Sequence, residues 1–216
     1  LFPSCVMVAL AELIVPKLTE AQVQKNADGI HAAVHTILLG GLRYSLLCAA
    51  LFLALGGGLG MALYDSAEAG RYIRLFALIV PVMYLDMLAD GCLKGLGEMM
   101  FCMYVNIADA GLSALMVWLL LPRWGIAAYL FTICFTEIFN FILSLRRLQK
   151  VSGLRLSPRE VLSSLGAALL SGGAVWVLLK IINAGNSVPA LVLSGLAGVA
   201  LFALISGAAG GRRASG

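Results

Sequence analysis

The stretch Ala32–Leu59, AAVHTILLGGLRYSLLCAALFLALGGGL, holds a single charged residue, Arg43. A helix needs about 20 apolar residues to cross the ~30 Å hydrocarbon core of a bilayer. In lipid the backbone polar groups are satisfied only inside helices or closed barrels. The run is continuous and does not alternate as a barrel strand must, so it predicts a membrane-spanning helix. Working outward, comparable apolar segments lie at Leu1 to about Pro16, Tyr72–Leu93, Met99–Leu121, Trp124–Leu145, Val161–Leu179 and Pro189–Ala209. All but the first are long enough to span. The expected fold class is all-α, a polytopic transmembrane helical bundle of about seven helices.

Composition agrees. The 216 residues are 61% hydrophobic and 12% charged, against roughly 45–50% and 25% in soluble domains. That argues against a soluble enzyme, a nucleic-acid binder and a secreted disulfide scaffold. Cys5, Cys48, Cys92, Cys102 and Cys134 make an odd count without a C-x-x-C. All fall in or beside apolar stretches, where a free thiol behaves as a small hydrophobe. No disulfide, metal or cofactor is expected. Leu1 stands in an apolar run with no basic segment ahead of it, so no signal peptide is read there, and the chain is expected to be a piece of a longer membrane protein.

The connections carry the basic residues unevenly. Lys17, Lys25, Lys94, Arg146, Arg147, Lys150, Arg155, Arg159, Arg212 and Arg213 fall on one set of alternating connections, and Arg71, Arg74, Arg123 and Lys180 on the other. Cytoplasmic loops carry the excess of Lys and Arg, so the first set and the C-terminus are expected in the cytoplasm, in a multi-pass protein of the cell membrane. The net charge of +4 then belongs to topology, and no nucleic-acid partner is expected.

Local signals place several boundaries. Ser157-Pro158-Arg159-Glu160 supplies an N-cap serine, a proline at the first helical position and a capping-box glutamate. Pro189 opens the last segment in the same way. Pro81 removes a backbone hydrogen bond mid-segment and predicts a kink. Gly56-x-x-x-Gly60 and Gly91-x-x-x-Gly95 permit close helix contact.

Ionisable groups inside spans cost about 2.5–3.5 kcal/mol each on insertion scales and need a partner or a wet cavity. Arg43 lies about 17 Å into its span at 1.5 Å per residue, and Asp109, one turn from Asn106, has a similar depth. So has Glu137, one turn from Asn140. Either these groups line a substrate or ion pathway, or an Arg43–Asp109 or Arg43–Glu137 pair merely holds helices in register. Asp86, Asp90 and Lys94 stack four apart on one helix face, which suits a carboxylate-lined groove or intrahelical pairing near an interface. Glu12 is expected to be an interfacial partner for Lys17. His31 and His35 share a face, but Ala32 stands where a zinc-protease helix carries its glutamate. No catalytic constellation is present, and the chain is expected not to be an enzyme.

Several stretches add a family resemblance. Leu1-Phe2-Pro3-Ser4, with Glu12-Leu13-Ile14-Val15-Pro16-Lys17-Leu18-Thr19-Glu20-Ala21, resembles the F-P-S…L-x-P-x-[ST]-E segment of the multidrug/oligosaccharidyl-lipid/polysaccharide exporter superfamily. Cys92-Leu93-Lys94-Gly95-Leu96-Gly97-Glu98 resembles its L-x-G-L-G turn. Leu121-Pro122-Arg123-Trp124-Gly125-Ile126-Ala127, then Thr136-Glu137-Ile138-Phe139-Asn140 and Arg146-Arg147-Leu148, are similar to its later P-x-x-G-I and E-x-x-N segments. The nearest branch is the polysaccharide-biosynthesis, stage V sporulation protein B-like group, relatives of the lipid II flippases. The match runs in order over about residues 1–155.

The resemblance implies a two-lobe transporter of fourteen helices that rocks to expose a central cavity alternately. Residues 1–155 would then be the C-terminal lobe, 156–210 two additional helices forming a groove for a lipid tail, and 211–216 a cytoplasmic tail. The implied substrate is an anionic lipid-linked oligosaccharide or a cell-wall or polysaccharide precursor. The implied partners are membrane lipids and an N-terminal lobe upstream of Leu1, where most of the family's cavity arginines lie. A multidrug or cation antiporter of the same superfamily is the nearest alternative, and a polytopic membrane enzyme acting on lipids is a more distant one.

Overall fold

The computed structural model describes residues 3–154, 157–182 and 188–211, and every regular element among them is an α-helix. In chain order these are α1 (Ser4–Val23), α2 (Ala27–Tyr64), α3 (Ala67–Ala77), α4 (Val80–Gly95), α5 (Met99–Trp124), α6 (Ile126–Ser152), α7 (Pro158–Ile182) and α8 (Val188–Gly211).

Helix boundaries follow local chemistry. Between α1 and α2, Lys25 takes a left-handed conformation at φ 54, and the Asn26 Oδ1 accepts from the Gly29 N–H at 2.9 Å, capping α2. Asp65 turns the chain again at φ 48, and the Ser66 hydroxyl accepts from the Ala69 N–H to cap α3. The expected kink is present: α3 and α4 bend by 49° across Leu78 and Ile79. Pro81 supplies the reason, since its ring clashes with the carbonyl four residues back, which is Ala77, the last residue of α3. Helix α7 begins at Pro158 after Ser157, and Pro189 is the second residue of α8.

Among the described residues, four helices are long and apolar enough to cross a membrane: Ala27–Tyr64, Met99–Trp124, Ile126–Ser152 and Pro158–Val177. The bent α3–α4 pair adds a fifth if it counts as one span. Of the seven expected segments, the first is expected to be too short to span. Helix α1 carries Glu12, Lys17 and Glu20, and the described apolar stretch of α8 covers only Val192–Leu204.

Two compact units divide the chain. One comprises Leu1–Gly41 and Val82–Leu156, the other Leu42–Pro81 and Ser157–Gly216, so α2 contributes to both. Helices α7 and α8 group with residues 42–81. Arg155 and residues 212–216, with the tail arginines Arg212 and Arg213, lie outside the described residues, as does the side chain of Lys180.

In the first unit, α1 packs on α4 through the Gly91-x-x-x-Gly95 face. A Cβ at Gly91 would stand 2.9 Å from Ala11, and one at Gly95 would stand 3.0 Å from Leu18. The Thr19 hydroxyl reaches the Gly95 carbonyl at 3.0 Å, and the Gln22 amide donates to the Leu96 carbonyl at 3.0 Å. These side chains satisfy carbonyls that the end of α4 leaves without helical partners. Contacts advance along both helices together, so α1 and α4 run in the same direction. In the second unit, Gly56 and Gly60 receive α3, with Gly60 meeting the backbone of Gly70. Both glycine pairs read from sequence thus serve contacts within the chain.

Candidate functional site

The first unit gathers most of the intramembrane polar residues. On α6, Glu137, Asn140, Ser144 and Arg147 follow one another three or four residues apart and so share one face. That face meets α4 and the turn after it. The Ser144 hydroxyl donates to Asp90 Oδ1 at 3.1 Å. Three residues further along, Arg147 forks onto Glu98, its Nε donating to Oε2 at 3.1 Å and its Nη2 lying 2.8 Å from both carboxylate oxygens. The same guanidinium lies 5.4 Å from the ring centre of Phe101. Contacts again advance together, so α4 and α6 run in one direction, with α5 returning between them in sequence.

Asp109 and Glu137 lie at similar depth along their helices. Asp109 is ten residues into α5 from Met99, and Glu137 lies ten residues before Arg147 on α6, which is about 15 Å at 1.5 Å per residue in each case. Asp86 on α4 is within electrostatic reach of Asp90, Glu137 and Asp109, and Glu137 is within reach of Asp109. Three helices of the first unit therefore bring acids within reach of one another.

Their oxygens are not fully used. Asp86 Oδ1, Asp109 Oδ1 and Asn140 Oδ1 are buried and make no hydrogen bond. An acceptor left without a donor in a dry interior costs on the order of 1–3 kcal/mol. A protonated neighbour, water or a cation would each satisfy such a group. Among the described residues, no cluster of three or more His, Cys, Asp or Glu has the arrangement of a metal site. His31 and His35 stack with ring centres 6.3 Å apart.

Arg43 belongs to the second unit; it is half-buried and makes no ion pair among the described residues. Asn106 is exposed and lines an open groove of about 380 Å³ with Lys94, Met99, Cys102 and Met103. Lys94 is exposed and forms no ion pair with Asp90 among the described residues. Glu12 and Lys17 are both exposed.

Ser144 and the Glu98–Arg147 pair were missed from sequence. The signal was available as a helical stripe, Glu137-x-x-Asn140-x-x-x-Ser144-x-x-Arg147, of which only the first two residues were read. Arg147 was assigned to a loop, whereas α6 continues to Ser152.

Two apolar grooves also lie among the described residues. One of about 520 Å³ runs between α1 and α2 in the first unit, past Leu10, Ile14, Lys17, Ala33, Ile37 and Gly40. Another of about 310 Å³ lies in the second unit between α2 and α7, lined by Ala50, Leu53, Ala168, Leu169, Gly172 and Trp176.

No protein-family model matches the chain, and no curated protein matches it significantly.

Proposed function

We propose that this chain is part of a membrane transporter that moves a lipid-linked oligosaccharide, or a cell-wall or polysaccharide precursor, across the cytoplasmic membrane by alternating access. The observation that carries this reading is the grouping of Asp86, Asp109 and Glu137 on three apolar helices, with buried oxygens of Asp86, Asp109 and Asn140 that lack donors. Charged groups at such depth are expensive and mark substrate, ion or proton pathways. A purely structural bundle gains nothing from three acids without a cation among them. In this reading the acids exchange a proton or a monovalent cation as the bundle changes state. The groove beside Gly172 and Trp176 suits an apolar tail. Sequence resemblance to the polysaccharide and lipid II exporters suggests the substrate class, and the uneven basic residues favour a cytoplasmic C-terminus.

A multidrug or cation antiporter of the same superfamily is the second reading, favoured by the anionic character of the described polar group. Transport in liposomes separates the two. The full-length protein should translocate a fluorescent lipid-linked oligosaccharide, with Asp86→Asn, Asp109→Asn and Glu137→Gln each reducing the rate. Proton-driven uptake of a cationic dye, with no lipid translocation, would replace the first reading with the second.

A further inference from the structure

The second unit carries a pair of arginines that the transport reading does not use. We propose that Arg74, with Arg71 beside it, is a docking site for the phosphate of an anionic phospholipid of the surrounding bilayer. The inference is independent of what the protein transports.

Helix α3 is strongly amphipathic. Gly70 and Ala77 are buried, whereas Arg71, Tyr72, Arg74 and Leu75 are exposed, as is Leu78 just beyond its end. The helix runs back along α2: the Ser66 N–H donates to the Gly60 carbonyl, Gly70 meets Gly56 and Gly57, and Arg74 meets the same two glycines. A Cβ at Gly56 would stand 2.8 Å from Arg74 Cγ, and one at Gly57 would stand 2.5 Å from Arg74 Nη2. The arginine therefore lies flat across bare helix backbone, in space that any side chain on α2 would occupy. Its position is set by packing, but its charge is not answered. Neither Arg71 nor Arg74 forms an ion pair or a side-chain hydrogen bond among the described residues. The nearby acids, Asp65 and Glu68, are exposed at the start of α3, on its Tyr64 side.

Depth identifies the partner. Gly57 is seven residues before Tyr64, the last residue of α2, which is about 10 Å along the axis. In this proposal the guanidinium lies where hydrocarbon gives way to headgroups, with the two acids further toward the Tyr64 end. A charge there needs a counter-charge, and a planar fork of N–H donors matches phosphate oxygens in paired hydrogen bonds. The exposed Tyr72, Leu75 and Leu78 offer apolar surface for the chains of the same molecule. Phosphate on one side and hydrocarbon on the other describe a phospholipid, not a soluble anion.

The test measures lipid retained by the purified chain in mild detergent, by native mass spectrometry, after titration with phosphatidylglycerol or phosphatidylcholine. Phosphatidylglycerol should be retained in preference, and excess inorganic phosphate should not displace it. Arg74→Gln should lower retention about fivefold and Arg71→Gln about twofold, as expected for interfacial arginines facing anionic lipid. Arg123→Gln, on a different helix, should leave it unchanged. If Arg74→Gln does not fold, Arg74→Lys decides: it keeps the charge without the fork, and retention should fall at least about twofold. Equal retention of the two lipids, displacement by phosphate, or wild-type retention by the folded Arg74 variant would overturn the proposal.

Discussion

The two units use the same device for different ends. In each, a G-x-x-x-G face admits a neighbouring helix to backbone distance: α1 on Gly91 and Gly95 in one, α3 on Gly56 and Gly60 in the other. In the first unit that seam ends in a polar clasp, with Thr19 and Gln22 on the carbonyls of Gly95 and Leu96. The opposite side of α4 then presents Asp90 to Ser144 on α6. In the second unit the seam lays Arg74 across Gly56 and Gly57, while Leu55 of α2 packs with Val175 of α7. Close backbone approach is thus neutral as to function. What it positions depends on the residues one turn away from the glycines.

The contrast can be broken most completely at the level of topology. In a background lacking the five cysteines, Glu68→Cys in the second unit should react with an impermeant maleimide on intact cells. Gln149→Cys in the first should react only after the membrane is opened. Labelling of both from outside, or the reverse pattern, would overturn the orientation drawn from the basic residues.

Transport separates the units next. Asp109→Asn and Glu137→Gln should each lower translocation by more than about tenfold, the effect expected of intramembrane acids on a pathway. Arg43→Ala, the midplane charge of the second unit, should also lose activity in the full-length protein while abundance stays near normal. Normal complementation by Arg43→Ala would confine the pathway to the first unit.

Stability effects are smaller. Gly60→Leu drives a side chain into the Gly70 backbone, and Gly91→Leu drives one into that of Ala11. Each should cost about 1–3 kcal/mol through overpacking, read as a lower midpoint of thermal unfolding in detergent. Gly111→Leu, with nothing within 4 Å of its Cβ position, should leave the midpoint unchanged. If Gly60→Leu were silent and Gly91→Leu costly, the two seams would not be equivalent.

The smallest expected effect is at Glu98–Arg147. The pair is bidentate at 2.8 Å but partly exposed, at 35% for the arginine and 22% for the glutamate, so solvent screens it. Glu98→Gln should cost about 1 kcal/mol, and the double change with Arg147→Gln should cost less than the sum of the two single changes. Strict additivity in unfolding midpoints would deny the pair an energetic role.

Most of the helices were legible because lipid leaves the backbone few options, and each span is a long apolar run. Pro81 located the bend for a local reason, the clash with Ala77. The polar group was half legible: Asp86, Asp109 and Glu137 stand out because a charge in an apolar run is conspicuous. Ser144 does not, since serine is common in membrane helices and its role appears only when α4 brings Asp90 to it. Arg43 stands out in sequence for the same reason as the acids, a charge in an apolar run, and it lies in the second unit. Charge counting assigned Arg147 to a loop because apolar character ends near Leu145, yet the helix continues on the strength of its ion pair and Gly153, which closes α6 at φ 67.

One link in the first unit bears on how the protein is made. Helices α5 and α6 are joined by Gly125 alone, at φ 56 and ψ −135, a conformation open to glycine and strained for other residues. A single residue gives the translocation machinery no stretch of chain to hold between the two helices. The pair should therefore enter the bilayer as one hairpin, and the orientation of each helix fixes that of the other. Biogenesis would then tolerate lengthened connections elsewhere better than a rigid bulky residue at Gly125, where the defect would be failed insertion of both helices together.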